Sequence, residues 1–222
     1  MIALLVITDG RTECITRTIA SAAGNLDGPI SERWIYDDSG DPAHLAWLHE
    51  TFPQFRIIHH VEGRQGFGGA IREAWESLRT MSGAEYVFHL EDDFVFNRPV
   101  PLEDMIEILD ENPRLAQVAL RRQAWNSAEK AAGGVIETTP DAYTEVGGHF
   151  TSFLEHDLFF TTNPSLYSRR LIEQHDWPTG EKSEGRFTAQ LREACRSFAY
   201  LGERTDPPWV HHIGDERTGT GY

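Results

Sequence analysis

The sequence predicts an α/β fold in which helices cover both faces of a mostly parallel sheet. Three observations predict it. Residues 2–7 form an apolar run without alternation that stops at Thr8-Asp9, the pattern of a strand buried on both faces. Strand-like and helix-like segments then alternate through the first half of the chain. Four successive strands end in polar clusters, Thr8-Asp9-Gly10-Arg11, Asp37-Asp38, Arg64 to Gly69 and Glu91-Asp92-Asp93. These clusters gather at the carboxyl edge of the sheet, where open α/β sheets bind ligands.

The elements follow in order. Residues 12–25 read as a helix with Gly24 near its end. Residues 33–36 are a strand, and Pro42 opens a helix through His44, Leu45, Leu48 and Phe52. Residues 55–61 form a third strand and residues 63–69 a glycine-rich turn. The helix after it, residues 70–81, repeats Ala70, Ile71, Ala74, Trp75 and Leu78 at helical spacing. Residues 86–90 are the fourth strand, 101–111 a helix and 115–120 another strand. Gly133-Gly134, Pro140 and Gly147-Gly148 mark residues 131–148 as loop with a short hairpin. Residues 158–161 and 165–167 read as extended, and 168–175 and 187–198 as helices. No linker, repeat or low-complexity tract divides the chain, so residues 1–222 read as a single domain.

Composition narrows the function. A chain of 222 residues buries enough apolar surface to fold without a structural staple. Its 20 Lys and Arg against 35 Asp and Glu give a net charge of −15, which opposes broad binding to nucleic acid or anionic membrane. Cys14 and Cys195 are far apart with no C-x-x-C spacing, so neither a disulfide scaffold nor a cysteine zinc site is expected, and a reducing cytoplasm fits. The N-terminal apolar run is too short for a signal peptide or a membrane span. Gly66-Phe67-Gly68-Gly69 lacks both the third glycine of G-x-G-x-x-G and a following Lys-Ser or Lys-Thr, which argues against a dinucleotide-binding dehydrogenase and a P-loop NTPase.

The acidic triplet carries more. In extended backbone, residues i and i+2 share a face, so Glu91 and Asp93 are expected to converge on one cation while Asp92 turns elsewhere. Carboxylates suit Mg²⁺ or Mn²⁺, which need only one or two of them when phosphates and water complete the shell.

These residues carry a resemblance. Leu90-Glu91-Asp92-Asp93-Phe94 after a hydrophobic strand, with Ile35-Tyr36-Asp37-Asp38-Ser39-Gly40-Asp41 before it, resembles the GT-A nucleotide-sugar glycosyltransferases. The first run is like their D-x-D motif, in the E-D-D form of N-acetylglucosaminyltransferases. Three more segments match family 2 glycosyltransferases in order: Arg64-Gln65-Gly66-Phe67-Gly68-Gly69-Ala70-Ile71-Arg72, Asn163-Pro164-Ser165-Leu166-Tyr167-Ser168-Arg169 and Trp209-Val210-His211-His212-Ile213-Gly214.

The resemblance implies a GT-A (Rossmann-like) sheet with a smaller mixed acceptor-side region, residues 1–100 forming the nucleotide-sugar half and 101–222 the acceptor-side half. It implies a metal-dependent transfer, most simply from a UDP-sugar, to an acceptor hydroxyl with inversion. Thr8, Asp9 and Arg11 would line the nucleotide pocket with the glycine-rich start that includes Gly68. Asp37 or Asp38 would contact base or ribose, and Arg64 or Arg72 would face the nucleotide. Asp93 would be the principal ligand of Mn²⁺ or Mg²⁺. Glu91 and Asp92 would hold ribose, sugar or the metal, and His212, or its neighbour His211, would add a late ligand. Glu184 is the candidate general base, with Glu181, Asp176, Glu155 and Asp157 as rivals, and Arg217 would close over the diphosphate.

The chain's compactness also resembles small phage-type GT-A enzymes, some of which glycosylate hydroxymethylated pyrimidines in DNA; such an enzyme would work in the host cytoplasm. For that acceptor, Arg121, Arg122, Trp125, Lys130, Arg169, Arg170 and Arg186 are expected to form a local phosphate-binding and stacking surface. A glycan, protein or small-molecule acceptor, and a non-catalytic nucleotide-sugar binder, are the alternatives.

Overall fold

The computed structural model describes residues 1–147 and 151–214. In chain order its elements are β1 (Ile2–Thr8), α1 (Thr12–Asn25), β2 (Leu26–Asp27), β3 (Ile30–Asp37), α2 (Pro42–Thr51), β4 (Arg56–His59), α3 (Gly66–Met81), β5 (Tyr86–Glu91), β6 (Phe94–Phe96) and β7 (Val100–Pro101). They continue with α4 (Leu102–Glu111), β8 (Leu115–Ala119), α5 (Ser127–Ala132), β9 (Thr144–Gly147), β10 (Ser152–His156), β11 (Ser165–Ser168), α6 (Arg169–Gln174), α7 (Ser183–Glu193), β12 (Ser197–Leu201) and β13 (Val210–His212).

Nine strands form the main sheet in the order β4, β3, β1, β5, β11, β8, β12, β10, β9. β1 lies between β3 and β5 and is parallel to both, so the chain's first excursions run outward from β1 in opposite directions. That reversal opens a crevice at the carboxyl ends of β1 and β5. Beyond β5 the sheet is mixed: β11 is antiparallel to both β5 and β8, and β10 is antiparallel to β12.

The unbroken apolar run of β1 serves both faces. Ile2, Leu4 and Val6 join the core under α1 and α4, where Ile15, Met105 and Ile108 pack. Ala3, Leu5 and Ile7 join the opposite core, under α3, α6 and α7. Trp75 of α3 anchors that second core: it is fully buried, its indole N–H donates to Tyr167 Oη at 2.8 Å, and its ring meets Trp177 and Phe187 at 5.4 and 5.3 Å. This packing fixes α7 against α3.

Several boundaries differ from the sequence expectation for local reasons. The glycine turn is absorbed into α3, which starts at Gly66 with φ +72°, a value that glycine adopts without steric cost. The helix expected over 187–198 starts at Ser183 and ends at Glu193. Cys195 then takes a left-handed φ of 56°, and the apolar residues after it form β12 instead. The extended segment expected at 158–161 is irregular; the strand falls earlier, as β10, in a hairpin with β9. The late His-His segment is a strand, β13, antiparallel to β6.

Truncating Trp75→Ala removes the ring on which α3 and α7 meet. We expect a loss of about 3–5 kcal/mol, read as a lower urea midpoint with little change in slope.

Candidate functional site

The site forms where β5 ends. The strand stops at Glu91, and Asp92 and Asp93 make the turn into β6. The turn breaks the two-residue alternation and brings Asp92 and Asp93 to one partner. Both reach Arg11, the residue before α1. Arg11 Nη1 donates to Asp93 Oδ2 at 2.5 Å, Nη2 to Asp92 Oδ1, and Nε to Asp9 Oδ1 at 2.8 Å. Burial works against the Arg11 charge, but Asp92 and Asp93 outweigh it and raise its pKa further.

The turn itself is tightly held. Asp92 N–H donates to Ile7 O at 3.0 Å, and the Thr18 hydroxyl donates to Asp92 O at 2.7 Å. The Thr8 hydroxyl donates to Asp92 Oδ2 at 2.6 Å. Thr8 is buried and supports Asp92 through this bond.

His212 arrives from β13. Its register opposite Phe94 places it inward, with Nε2 3.1 Å from Asp93 Oδ2, while His211 is exposed. Trp125 and Phe94 pack on its ring at 4.1 and 4.7 Å, and the Gln123 side-chain amide brackets its backbone with two hydrogen bonds of 2.9 Å. Burial would raise the Asp93 carboxyl, but the His212 contact and Arg11 bring it below the ordinary range.

Four observations fit a divalent cation at this point. Asp93 Oδ1 is buried with no hydrogen-bond partner, and His212 turns Nε2 to the same carboxylate. A Cβ on Gly214 would run into Asp93 Oδ2 and lie 3.0 Å from His212 Nε2, so glycine keeps that space open. A carboxylate with an imidazole suits Mn²⁺ or Mg²⁺ when a diphosphate supplies further oxygens. No group of three or more His, Cys, Asp and Glu side chains poised for a metal occurs among the described residues; Asp93 and His212 are the two expected ligands in direct contact, and Glu91 Oε1 is also buried without a hydrogen-bond partner.

The remaining expected residues divide. Asp9 pairs with Arg11 and with Arg64 Nη2 at 3.4 Å. Asp38 accepts the Gln65 and Gly66 amides at 2.6 and 2.8 Å, and Asp37 accepts the Ser39 amide at 3.0 Å. Asp38 therefore holds the start of α3 in place and brings Arg64 to the acids. Arg72 is exposed on α3 and does not join them, because the helix turns positions 68, 71 and 75 inward and position 72 out. Gly68 serves packing: a Cβ there would lie 3.0 Å from both Pro178 O and Ser183 Oγ, at the start of α7. Arg217 lies outside the described residues.

Glu184 sits in the first turn of α7. Its Oε1 accepts the Thr162 N–H at 2.8 Å and the Thr162 hydroxyl at 3.3 Å. Burial pushes its carboxyl up against these bonds and the pull of Arg122. Glu91 is pushed up more strongly by burial, with Asp93 and Glu184 both adding repulsion. Among the rival bases, Asp176 is paired with Arg79 at 2.8 Å and Glu155 accepts the Ser197 hydroxyl at 2.6 Å. Asp157 and Glu181 are exposed. Glu184 borders two clefts, one of about 760 Å³ reaching Arg64 and Gly68, and one of about 460 Å³ reaching Arg122, Phe159 and Asn163.

The arginines expected to make one phosphate-binding surface do not share a surface. Arg121 is buried and donates to the carbonyls of Glu203, Arg204 and Asp206. Arg122 is paired with Glu129 at 2.7 Å. Arg169 and Arg170 follow the end of β11 beside Tyr86, at the edge of the sheet opposite the acids. Arg186 caps the Thr179 carbonyl at 2.9 Å.

Sequence reasoning missed Thr18, Thr162 and Gln123, whose roles depend on contacts across the fold and leave no local signal. Gly214 was legible as part of its motif, but its role as a spacer was not.

No protein-family model matches the sequence, and no curated protein matches it in sequence. Solved structures do match it. The crystal structure of S. aureus TarS 1–349 aligns over 96% of this chain and 60% of its own, with TM-score 0.61 and 14% identity. TarS 1–349 in complex with UDP-GlcNAc aligns over 99% of this chain and 59% of its own, with TM-score 0.65 and 17% identity. The complex with UDP gives 95% and 59%, TM-score 0.60 and 16% identity. This chain has the TarS fold. It spans about 60% of the TarS 1–349 chain, and the mostly parallel sheet flanked by helices that the sequence predicts is present. Among the described residues no helix is long and apolar enough to cross a membrane.

Arg11 Nη1 takes up Asp93 Oδ2, so a cation on that oxygen would have to compete with it. We expect Arg11→Gln to bind Mn²⁺ without nucleotide about tenfold more tightly than the parent, measured by calorimetric titration. A merely damaged site would bind more weakly instead.

Proposed function

We propose that this chain is a nucleotide-sugar transferase that binds a UDP-sugar with Mn²⁺ or Mg²⁺ at the Asp93–His212 site and passes the sugar, with inversion, to an acceptor hydroxyl. One observation carries the reading: at the topological switch of the sheet Asp93 and His212 meet with an unpartnered carboxylate oxygen, and Glu184, a carboxylate raised by burial, borders the cleft that reaches Arg64. The TarS structures with UDP-GlcNAc and UDP support it by sharing the fold.

The chemistry follows from charge. Departure of a nucleoside diphosphate from the anomeric carbon builds negative charge on the leaving oxygens. A divalent ion held by Asp93 and His212 would supply positive charge to that diphosphate. Arg11 and Arg64 add fixed positive charge at the same edge of the sheet, and Asp38 keeps Arg64 there by holding the Gln65 and Gly66 amides. Glu184 takes the proton from the acceptor hydroxyl as it attacks. The Thr162 amide and hydroxyl hold Oε1, and Oε2, which makes no hydrogen bond among the described residues, receives the proton. Burial raises the basicity of this carboxylate above that of an exposed glutamate, which suits proton transfer near neutral pH.

Two outcomes test the reading. Glu184→Gln keeps the side-chain shape and should lower transfer by about 10²–10⁴-fold while UDP still raises the melting temperature; equal transfer by both proteins would remove Glu184 from the mechanism. The base must be ionised to act and its pKa is raised, so activity is full above that raised value and is lost as pH falls through it. The acid limb of kcat/KM should therefore lie above the ordinary glutamate value of about 4.3 and be absent from the residual rate of the Gln variant.

A further inference from the structure

We infer that the smaller cleft beside Glu184 receives an uncharged, hydroxyl-rich acceptor of the glycoside type, and not a phosphate-bearing polymer. This rests on the transferase reading and adds the acceptor's chemical class.

Charge argues first. Arg122 is the one cation among the cleft's lining residues, and it faces two carboxylates, Glu129 and Glu184. Its guanidinium is already engaged: Nη1 donates to Glu129 Oε2 at 2.7 Å and to Gln123 O at 2.9 Å, and Nη2 to Glu129 Oε1 at 3.3 Å. Glu129 is buried and also accepts the Trp125 amide at 2.8 Å, so the pair is built into the wall. A phosphate entering the cleft would have to break it or sit beside two carboxylates, and a desolvated anion without a free partner is costly. The net charge of −15 repels a polyanion at longer range.

The uncommitted groups argue for what does fit. The Asn163 side-chain amide makes no hydrogen bond among the described residues, and it offers both donors and an acceptor at the cleft wall. Glu184 Oε2 is the second open acceptor. Phe159 presents a half-buried ring in the same wall, an apolar surface for the C–H face of a sugar. An aromatic platform with a few convergent neutral polar groups is the composition of a small-ligand pocket. A hydroxyl held by Asn163 and aimed at Glu184 would be the one that loses its proton.

The experiment uses the full chain with UDP-GlcNAc or UDP-glucose and Mn²⁺, and reads UDP release. The acceptors compared are the methyl glycosides of glucose, galactose and N-acetylglucosamine, poly(glycerol phosphate), and single-stranded DNA carrying hydroxymethylcytosine. We expect at least one glycoside to raise UDP release about tenfold over hydrolysis, with little change between ~50 and ~300 mM salt, and neither polyanion to do so. Asn163→Ala should raise the KM for that glycoside more than it lowers kcat. Stimulation by a polyanion that fades with salt, or no stimulation by any glycoside, overturns the inference. A parallel melting curve with UDP separates the two levels: a UDP-dependent shift without glycoside stimulation overturns the acceptor class alone, and no shift overturns the transferase reading as well.

Discussion

The structure is organised around the burial of two adjacent carboxylates, Asp92 and Asp93, at the end of its central strands. A buried carboxylate without a counter-charge is strongly destabilising, and this one turn carries two. The protein answers with a guanidinium shared by both, an imidazole on Asp93 and a hydroxyl on Asp92. The partners come from two distant parts of the chain: Thr8 and Arg11 from the first βα unit, His212 from the last strand. The requirement to neutralise one turn therefore ties together the two ends of the described chain and explains why β13 returns to pair with β6.

A second layer of contacts sets Glu184. Trp75, Tyr167, Trp177 and Phe187 lock α7 onto α3, and Gly68 permits the close approach that brings the start of α7 to the cleft. Gln117 is fully buried and exchanges two hydrogen bonds with the Thr161 backbone, which presents the neighbouring Thr162 to Glu184. Hydrogen bonding from Thr162 opposes burial, and burial wins. The carboxylate is thus oriented by donors without being driven into the strongly acidic range, a balance suited to a base.

Much of the first half was legible because local pattern and tertiary role coincide there. The run of β1 is apolar on both faces because both faces are covered, and Pro42 starts α2 as its fixed φ favours, with the Asp41 side chain capping the Ala43 amide at 2.8 Å. The second half was less legible because its boundaries are set by contacts distant in sequence. Nothing near Cys195 announces the left-handed turn that separates α7 from β12. Strand alternation does not give the shared Arg11 contact of Asp92 and Asp93, because the chain leaves the sheet after Glu91 and a turn places both. Arg121 and Arg122 looked like surface cations in sequence, yet one is spent on backbone carbonyls and the other on Glu129. His212 is already preferred to His211 in the sequence, and the register against Phe94 supplies the physical reason that it faces Asp93.

The central claim is that Asp93 and His212 hold a divalent ion that a nucleoside diphosphate shares. Calorimetric titration of UDP with and without Mn²⁺, on the parent protein and on Asp93→Asn, tests it most directly. The account predicts that Mn²⁺ tightens UDP binding by about tenfold or more in the parent and leaves the variant unchanged. Equal UDP affinity with and without Mn²⁺ in the parent, or the same gain in Asp93→Asn, would contradict it.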